Sequence, residues 1–349
     1  MSRAVAGALP DHLSGQPSQA RPAALQELGA ESEFARELLA GLARRPRSLA
    51  PKFFYDEVGS ALFDRICELP EYYPTRTELA LLQRHAQEMA DCIGPDAEII
   101  EFGAGSNHKI RLLLDALARP RRFVPIDISA DHLQAAAARL RADYPGLDVQ
   151  PLAADFTQGL ELPPVAAGQS PARRVGFFPG SSVGNFTPEE ALVFLRDAAR
   201  LLSGGNAVPS GSERAPAGLL IGVDLVKDPA VLHAAYNDAA GITASFNLNM
   251  LARANRELGA DFQLDRFAHY AFYEPRLQRI EMHLVSRCAQ QVRLCGQVFE
   301  FAEGEALHTE NSHKFTVDGF RSLAGRAGWR PSRVWCDPEG LFSLHWLTL

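Results

Sequence analysis

Hydrophobic positions along this chain keep one spacing, then another, and the changes mark its organisation. Residues 33–44 carry apolar side chains three and four apart, as a helix with one buried face does. Residues 51–76 form a compact stretch dense in aromatics: Phe53, Phe54, Tyr55, Phe63, Tyr72 and Tyr73. From residue 78 helix and strand patterns alternate. Helices are predicted over 78–92, 109–118, 130–143 and 189–202. Buried strands, read from short apolar runs, are predicted over 98–103, 122–128, 149–154, 174–178 and 218–225. Such alternation predicts an α/β fold: a doubly wound, Rossmann-like parallel sheet with helices on both faces.

The spacing changes after Pro229. Residues 230–239 and 244–258 are helical, while 279–286 and 291–301 alternate apolar with polar as antiparallel strands do. Residues 318–327 return to helix, and 333–336 with 341–349 read as a closing hairpin. The expected organisation has three parts. Residues 1–30, rich in Ala, Pro, Ser, Gln and Gly, are a loose tail with a short helix at 23–28. Residues 31–76 and 229–315 make a second, smaller α+β unit. Residues 77–228 and 316–349 make the sheet. Stretches 157–173 and 203–218 read as surface loops, the latter clustered in Gly, Ser and Pro. A substrate is expected in the cleft between the units.

Composition removes several function classes. The formal net charge is −7, which argues against a nucleic-acid partner. Five cysteines, an odd number without a CxxC pair, argue against a disulfide framework or a zinc site and fit a cytoplasmic protein. No basic start with an apolar core marks a signal peptide, and no apolar run reaches membrane-spanning length, so no membrane partner is expected. His308 and His313 are scattered without ligand spacing, and no metal is expected.

The strongest local motif is Glu101-Phe102-Gly103-Ala104-Gly105-Ser106, where the first sheet strand passes into a helix. Gly103 and Gly105 let the backbone approach a ligand closely. A dinucleotide fingerprint needs a third glycine three residues after the second, and His108 stands there. E-x-G-x-G instead opens an S-adenosylmethionine-binding loop. Asp127 ends the second strand and suits the ribose hydroxyls. Asp155 and Phe156 end the third and suit the adenine edge and face. Lys109, in the first turn of the following helix, suits the methionine carboxylate. Each acid taken alone also serves as a plain helix cap; three on one sheet edge point to a ligand.

Five further runs form a series: Pro51-Lys52-Phe53-Phe54-Tyr55-Asp56, Leu69-Pro70-Glu71-Tyr72-Tyr73-Pro74-Thr75-Arg76, Gly180-Ser181-Ser182-Val183-Gly184-Asn185, Asp224-Leu225-Val226-Lys227-Asp228 and Tyr236-Asn237-Asp238-Ala239-Ala240-Gly241. From about residue 37 to 349 the chain resembles the histidine-specific N-α-methyltransferases of ergothioneine biosynthesis. The resemblance implies a class I methyltransferase sheet with a substrate-binding second unit, and three methyl transfers from S-adenosylmethionine to L-histidine, giving hercynine. It implies that Asn185 and Tyr236 hold the histidine carboxylate. Tyr55 and Tyr72 line the pocket, Glu310 and Ser312 read the imidazole, and Met282 packs near the ring. His108 stands where relatives are expected to carry an acid.

The chemistry of these positions is sound independently of the resemblance. A carboxylate needs donors, which an Asn amide and a Tyr hydroxyl are. An ionised Glu310 accepts an imidazole N–H through a charge-assisted bond. Plainer roles are a core position for Tyr55, Tyr72 and Met282, a helix cap for Asn185 and a solvated charge for Glu310. An α-ammonium must lose a proton before attack, and Tyr55 or a water is the candidate acceptor. Tyr55, Tyr72 and Phe246 are candidate faces for the growing cation. Alternatives are another free amino acid such as tryptophan, or a non-catalytic cofactor-binding regulator. The expected protein is a monomer acting on a small molecule.

Overall fold

The structure, a computed structural model, describes residues 32–105, 107–164, 172–204 and 217–349. The expected 1–30 tail with its 23–28 helix lies outside the described residues, as do 165–171 and 205–216 of the two expected loops.

The chain begins with α1 (Glu33–Ala43), β1 (Arg47–Ser48), α2 (Glu57–Cys67) and α3 (Tyr73–Ile93). Then come β2 (Glu98–Phe102), α4 (His108–Ala116), β3 (Arg122–Asp127), α5 (Ala130–Asp143), β4 (Asp148–Val149), β5 (Leu152–Ala153), β6 (Arg174–Phe178), α6 (Pro188–Leu202) and β7 (Gly218–Asp224). The second half holds α7 (Pro229–Tyr236), α8 (Ile242–Leu258), β8 (Phe267–Glu274), β9 (Arg279–Ser286), β10 (Gln290–Leu294), β11 (Gln297–Phe301) and β12 (Ala306–His313). It ends with α9 (Val317–Arg326), β13 (Arg330–Cys336) and β14 (Phe342–Thr348). Among the described residues no helix is long and apolar enough to cross a membrane.

Eight strands form one sheet in the order β13-β14-β7-β6-β2-β3-β4, with β5 also on β3. β2, β3, β4, β5, β6 and β7 are parallel; β14 is antiparallel to β7, and β13 to β14. The central strands are fully buried, which is why they read as continuous apolar runs. The chain runs outward from β2 to β4 and then returns to place β6 on the other side of β2. The crevice beyond the ends of β2 and β6 is thus the switch point where open sheets bind ligands. A second sheet, in the order β1-β12-β9-β8, carries its own apolar cluster shared with α1, α2 and α8.

Several boundaries moved for physical reasons. The strand expected over 149–154 is two short pieces, because Pro151 between them has no N–H to pair. The helix expected over 78–92 begins at Tyr73, since Pro74 sits in its first turn, where proline fits. α2, hidden in the aromatic stretch, starts where the Asp56 carboxylate accepts the Gly59 N–H at 2.7 Å. β8 and β12 were not expected. β12 reads Ala-Leu-His-Thr-Glu-Asn-Ser-His, and Thr309, Glu310, Ser312 and His313 in it are buried. The helix-cap role open for Asn185 belongs to Thr187, which forms a capping box with Glu190.

The end of β12 joins the two sheets. The Phe315 N–H donates to the Asp224 carbonyl at 3.0 Å, and the Val226 N–H to the Phe315 carbonyl at 2.9 Å. His313 Nδ1 meets the Gly184 carbonyl at 3.0 Å, in the single helical turn Ser182–Asn185. A Cβ at Gly184 would lie 2.7 Å from the His313 carbonyl oxygen, a backbone atom that cannot swing away. Gly184→Ala is therefore expected to lower Tm by about 2–6 °C, as overpacking of about 1–3 kcal/mol does in a domain of this size. An unchanged melting curve would show that the junction yields.

Candidate active site

The sheet edge gathers the expected cofactor residues. Gly103 follows β2 with φ +71°, a left-handed conformation that favours glycine, and Gly105 has open space around it. Asp127 closes β3 and accepts the Ser129 N–H at 2.8 Å; burial raises its carboxyl above the usual range. Asp155 accepts from the Thr157 N–H and hydroxyl at 2.9 and 2.6 Å and pairs with Lys52 at 3.1 Å. Burial would raise its pKa, but these partners hold it low. Phe156 packs edge-on against Phe102, Phe178, Phe186 and Phe194. Lys109 is held by Glu78 at 2.7 Å; burial opposes its charge, and Glu78 outweighs burial.

Six of the seven expected substrate residues line one cavity: Tyr55, Tyr72, Asn185, Tyr236, Glu310 and Ser312. It opens on both sheets, since Gly180, Ser181, Ser182 and Asp224 also line it. Met282 is buried and pairs across the strands with Glu310. The aromatic wall runs Tyr55–Phe63–Tyr72–Tyr236 through edge contacts of 5.7, 6.3 and 6.3 Å. Phe63 takes the wall position expected for Phe246, which instead packs behind Tyr55 at 5.7 Å and stacks on Phe54 at 4.5 Å.

Electrostatics separate these groups. Glu310 is pushed up to about 7 by burial, against the pull of Lys314. Among the described residues its carboxylate accepts no hydrogen bond, so it remains available to a ligand. Tyr55 and Tyr72 are half-buried residues whose phenols are pushed well above the usual range by desolvation, and both keep their protons. Glu101, beneath the glycine loop, is pushed by burial to about 8 and is neutral near pH 7.

Sequence reasoning missed the charged floor of the cavity. Asp224 accepts from the Tyr73 hydroxyl at 2.8 Å and pairs with Lys227 at 2.5 Å and Lys314 at 2.7 Å. Burial would raise its carboxyl, yet the two lysines hold it low. Glu78, fully buried on α3, accepts the Gly180 N–H at 2.9 Å while holding Lys109. Asp224 ends a strand as Asp127 does, so the same signal would have found it. Lys314 follows a strand that the pattern did not show.

His308 does meet other ligand types: its ring lies with Glu281 and His283, with one ligand atom from each within 4.8 Å of the others. Glu281 is already paired there with Arg279 at 2.5 Å and His283 at 3.0 Å, so the cluster is charge-satisfied by protein groups. His313 is committed to Gly184.

Residues 34–349 match the family described as "Histidine-specific methyltransferase, SAM-dependent". The chain belongs to this family. It is 44% identical over 315 residues to the histidine N-alpha-methyltransferase of Mycolicibacterium smegmatis, covering 88% of this chain and 92% of that one. It is 40% identical to the histidine N-alpha-methyltransferase of Mycobacterium tuberculosis with the same coverage. A 32% match to the Ergothioneine biosynthesis protein 1 of Neurospora crassa covers 71% of this chain and 29% of that longer one. As in its family, the cofactor is S-adenosylmethionine.

The crevice fits that group: carboxylates at strand ends suit ribose hydroxyls, Phe156 suits a base, and the open space at Gly105 admits a bulky ligand. Glu78 braces this crevice from beneath, holding Lys109 and the Gly180 N–H. Glu78→Gln would leave Lys109 without its buried counter-charge, and losing one partner of such a pair costs about 3–5 kcal/mol. Tm should fall by about 5 °C or more, and calorimetry should show weaker S-adenosylhomocysteine binding. Unchanged values for both would remove Glu78 from this supporting role.

Proposed function

We propose that the protein transfers three methyl groups from S-adenosylmethionine to the α-amino nitrogen of L-histidine, giving hercynine in ergothioneine biosynthesis. Family membership supports this reading. So does one observation above all: Glu310, an unpartnered acceptor, shares an aromatic-walled cavity with the Ser312, Tyr236 and Asn185 donors. Residues 31–76 and 229–315 act as the substrate-binding domain, and 77–228 with 316–349 as the methyltransferase domain. Gly103, Gly105, Lys109, Asp127, Asp155 and Phe156 hold the cofactor. The lack of any disulfide among the five cysteines supports a cytoplasmic location, and we read the enzyme as a monomer.

The cofactor supplies an electrophilic methyl group on a sulfonium. The chain's task is alignment. Asn185 and Tyr236 anchor the carboxylate, and Glu310 and Ser312 fix the ring, with Met282 behind it. These anchors leave the α-nitrogen against Tyr55. Tyr55 keeps its proton, so it orients the amine by accepting an N–H while the proton itself leaves to water. The Tyr55, Phe63 and Tyr72 faces suit a cation that gains methyl groups, through attraction of roughly 0.5–2 kcal/mol. A ring without an N–H would leave Glu310 buried and unpaired, which selects histidine.

Purified protein with S-adenosylmethionine and L-histidine should give a product about 42 Da heavier, three methylene equivalents; an unmodified substrate would overturn the reading. Glu310 also sets a pH dependence. Below about 7 its carboxyl is protonated and accepts the ring N–H only as a weaker, neutral acceptor; above about 7 the carboxylate accepts it through a charge-assisted bond. The kcat/KM for histidine should therefore rise through pH 7. Glu310→Gln should raise KM and flatten that limb, leaving only the titration of histidine itself. A limb at 7 that persists in the variant would assign it to another group.

A further inference from the structure

Lys314 bonds to two of the expected ligand contacts, Tyr236 and Ser312, yet it does not line the cavity. It is 2% exposed, and its three N–H groups are spoken for: Asp224 Oδ2 at 2.7 Å, Ser312 Oγ at 2.8 Å and the Tyr236 hydroxyl at 3.1 Å. Burial opposes its charge, and Asp224 outweighs burial, so it stays an ammonium. An ammonium only donates. Both hydroxyl oxygens must therefore accept from it, and neither can point its hydrogen back. The two oxygens lie 2.7 Å apart, with the Tyr236 hydroxyl donating to Ser312. Tyr236 therefore holds its hydrogen against Ser312, and the Ser312 hydrogen is left for the cavity.

We propose that Lys314 is the positioning residue that turns both hydroxyls into donors toward the substrate. It deepens the histidine reading and rests on it. When a carboxylate and a ring nitrogen enter, the Tyr236 hydrogen turns to the carboxylate and the Ser312 hydrogen to the unprotonated ring nitrogen. Lys314 goes on donating to both oxygens, so breaking their mutual bond orphans neither. Glu310 accepts the other ring nitrogen's hydrogen, and the pair of contacts selects the neutral ring. Asp224 supplies the reason a neutral residue would fail. It is a strong buried acceptor, and without the intervening ammonium the two hydroxyls would turn toward it and away from the cavity.

The test is steady-state kinetics of Lys314→Met with L-histidine and with L-histidinamide, which lacks the charged carboxylate. The wild-type enzyme serves as reference, and S-adenosylhomocysteine calorimetry reports on folding. The expected result is a KM for histidine raised about tenfold or more, kcat changed only a few-fold, near-normal cofactor binding, and a reduced preference for histidine over the amide. Should Lys314→Met fail to fold, Lys314→Gln, which removes the ammonium but leaves Asp224 paired with Lys227, is read the same way. A variant that binds cofactor normally and keeps the wild-type KM and preference overturns the role of Lys314. A wild-type enzyme that leaves histidine unmethylated overturns the substrate reading instead.

Discussion

The buried ion pair between Asp224 and Lys314, 2.7 Å apart, is the constraint on which the rest of the site depends. Each is almost wholly shielded from water, and such charges are stable only when paired and hydrogen-bonded. Asp224 ends the central strand β7, and Lys314 follows β12 of the second sheet. Pairing them fixes where the second sheet stands over the first. The backbone bonds from Phe315 and Val226 complete the join. Glu310 and Ser312, four and two residues before Lys314, are placed over the cavity by the same event.

Around that pair, residues of one type behave differently because their neighbours differ. Asp224 is held charged by two lysines, and Asp155 by the Thr157 hydroxyl and N–H together with Lys52. Glu101 and Glu310, buried without a direct cationic contact, are pushed up to about 8 and about 7. The pair of floor charges and the poised Glu310 give the cavity both fixed donors and one adjustable acceptor. An aromatic wall of phenols that keep their protons closes the remaining side. The cavity thus combines polar ends with an apolar, electron-rich middle, the combination an amino acid becoming a quaternary cation requires.

Much of the first sheet was readable because its strands are buried on both faces, which turns them into unbroken apolar runs. The edge expected to hold a ligand was also readable, since Gly103, Asp127 and Asp155 stand at the ends of successive strands. The second sheet was harder. β9 alternates cleanly and was found, whereas β12 buries histidine, threonine, glutamate and serine, so no apolar period marks it. Phe246 and Phe63 were exchanged for a related reason: both are phenylalanines packed against Tyr55, and only packing tells which one faces the cavity.

The sequence by itself determined the α/β class, the strands of the parallel sheet, the glycine loop and acids at its edge, and the resemblance that pointed to histidine. These depend on local spacing, which a single chain segment carries. Only the tertiary structure decided that Asp224, Lys314, Tyr236 and Ser312 form one network, and that Glu78 pairs with Lys109 beneath the glycine loop. Those groups come from segments far apart in the chain. A buried charge is tolerated only where another segment brings its partner, and no local pattern records that meeting.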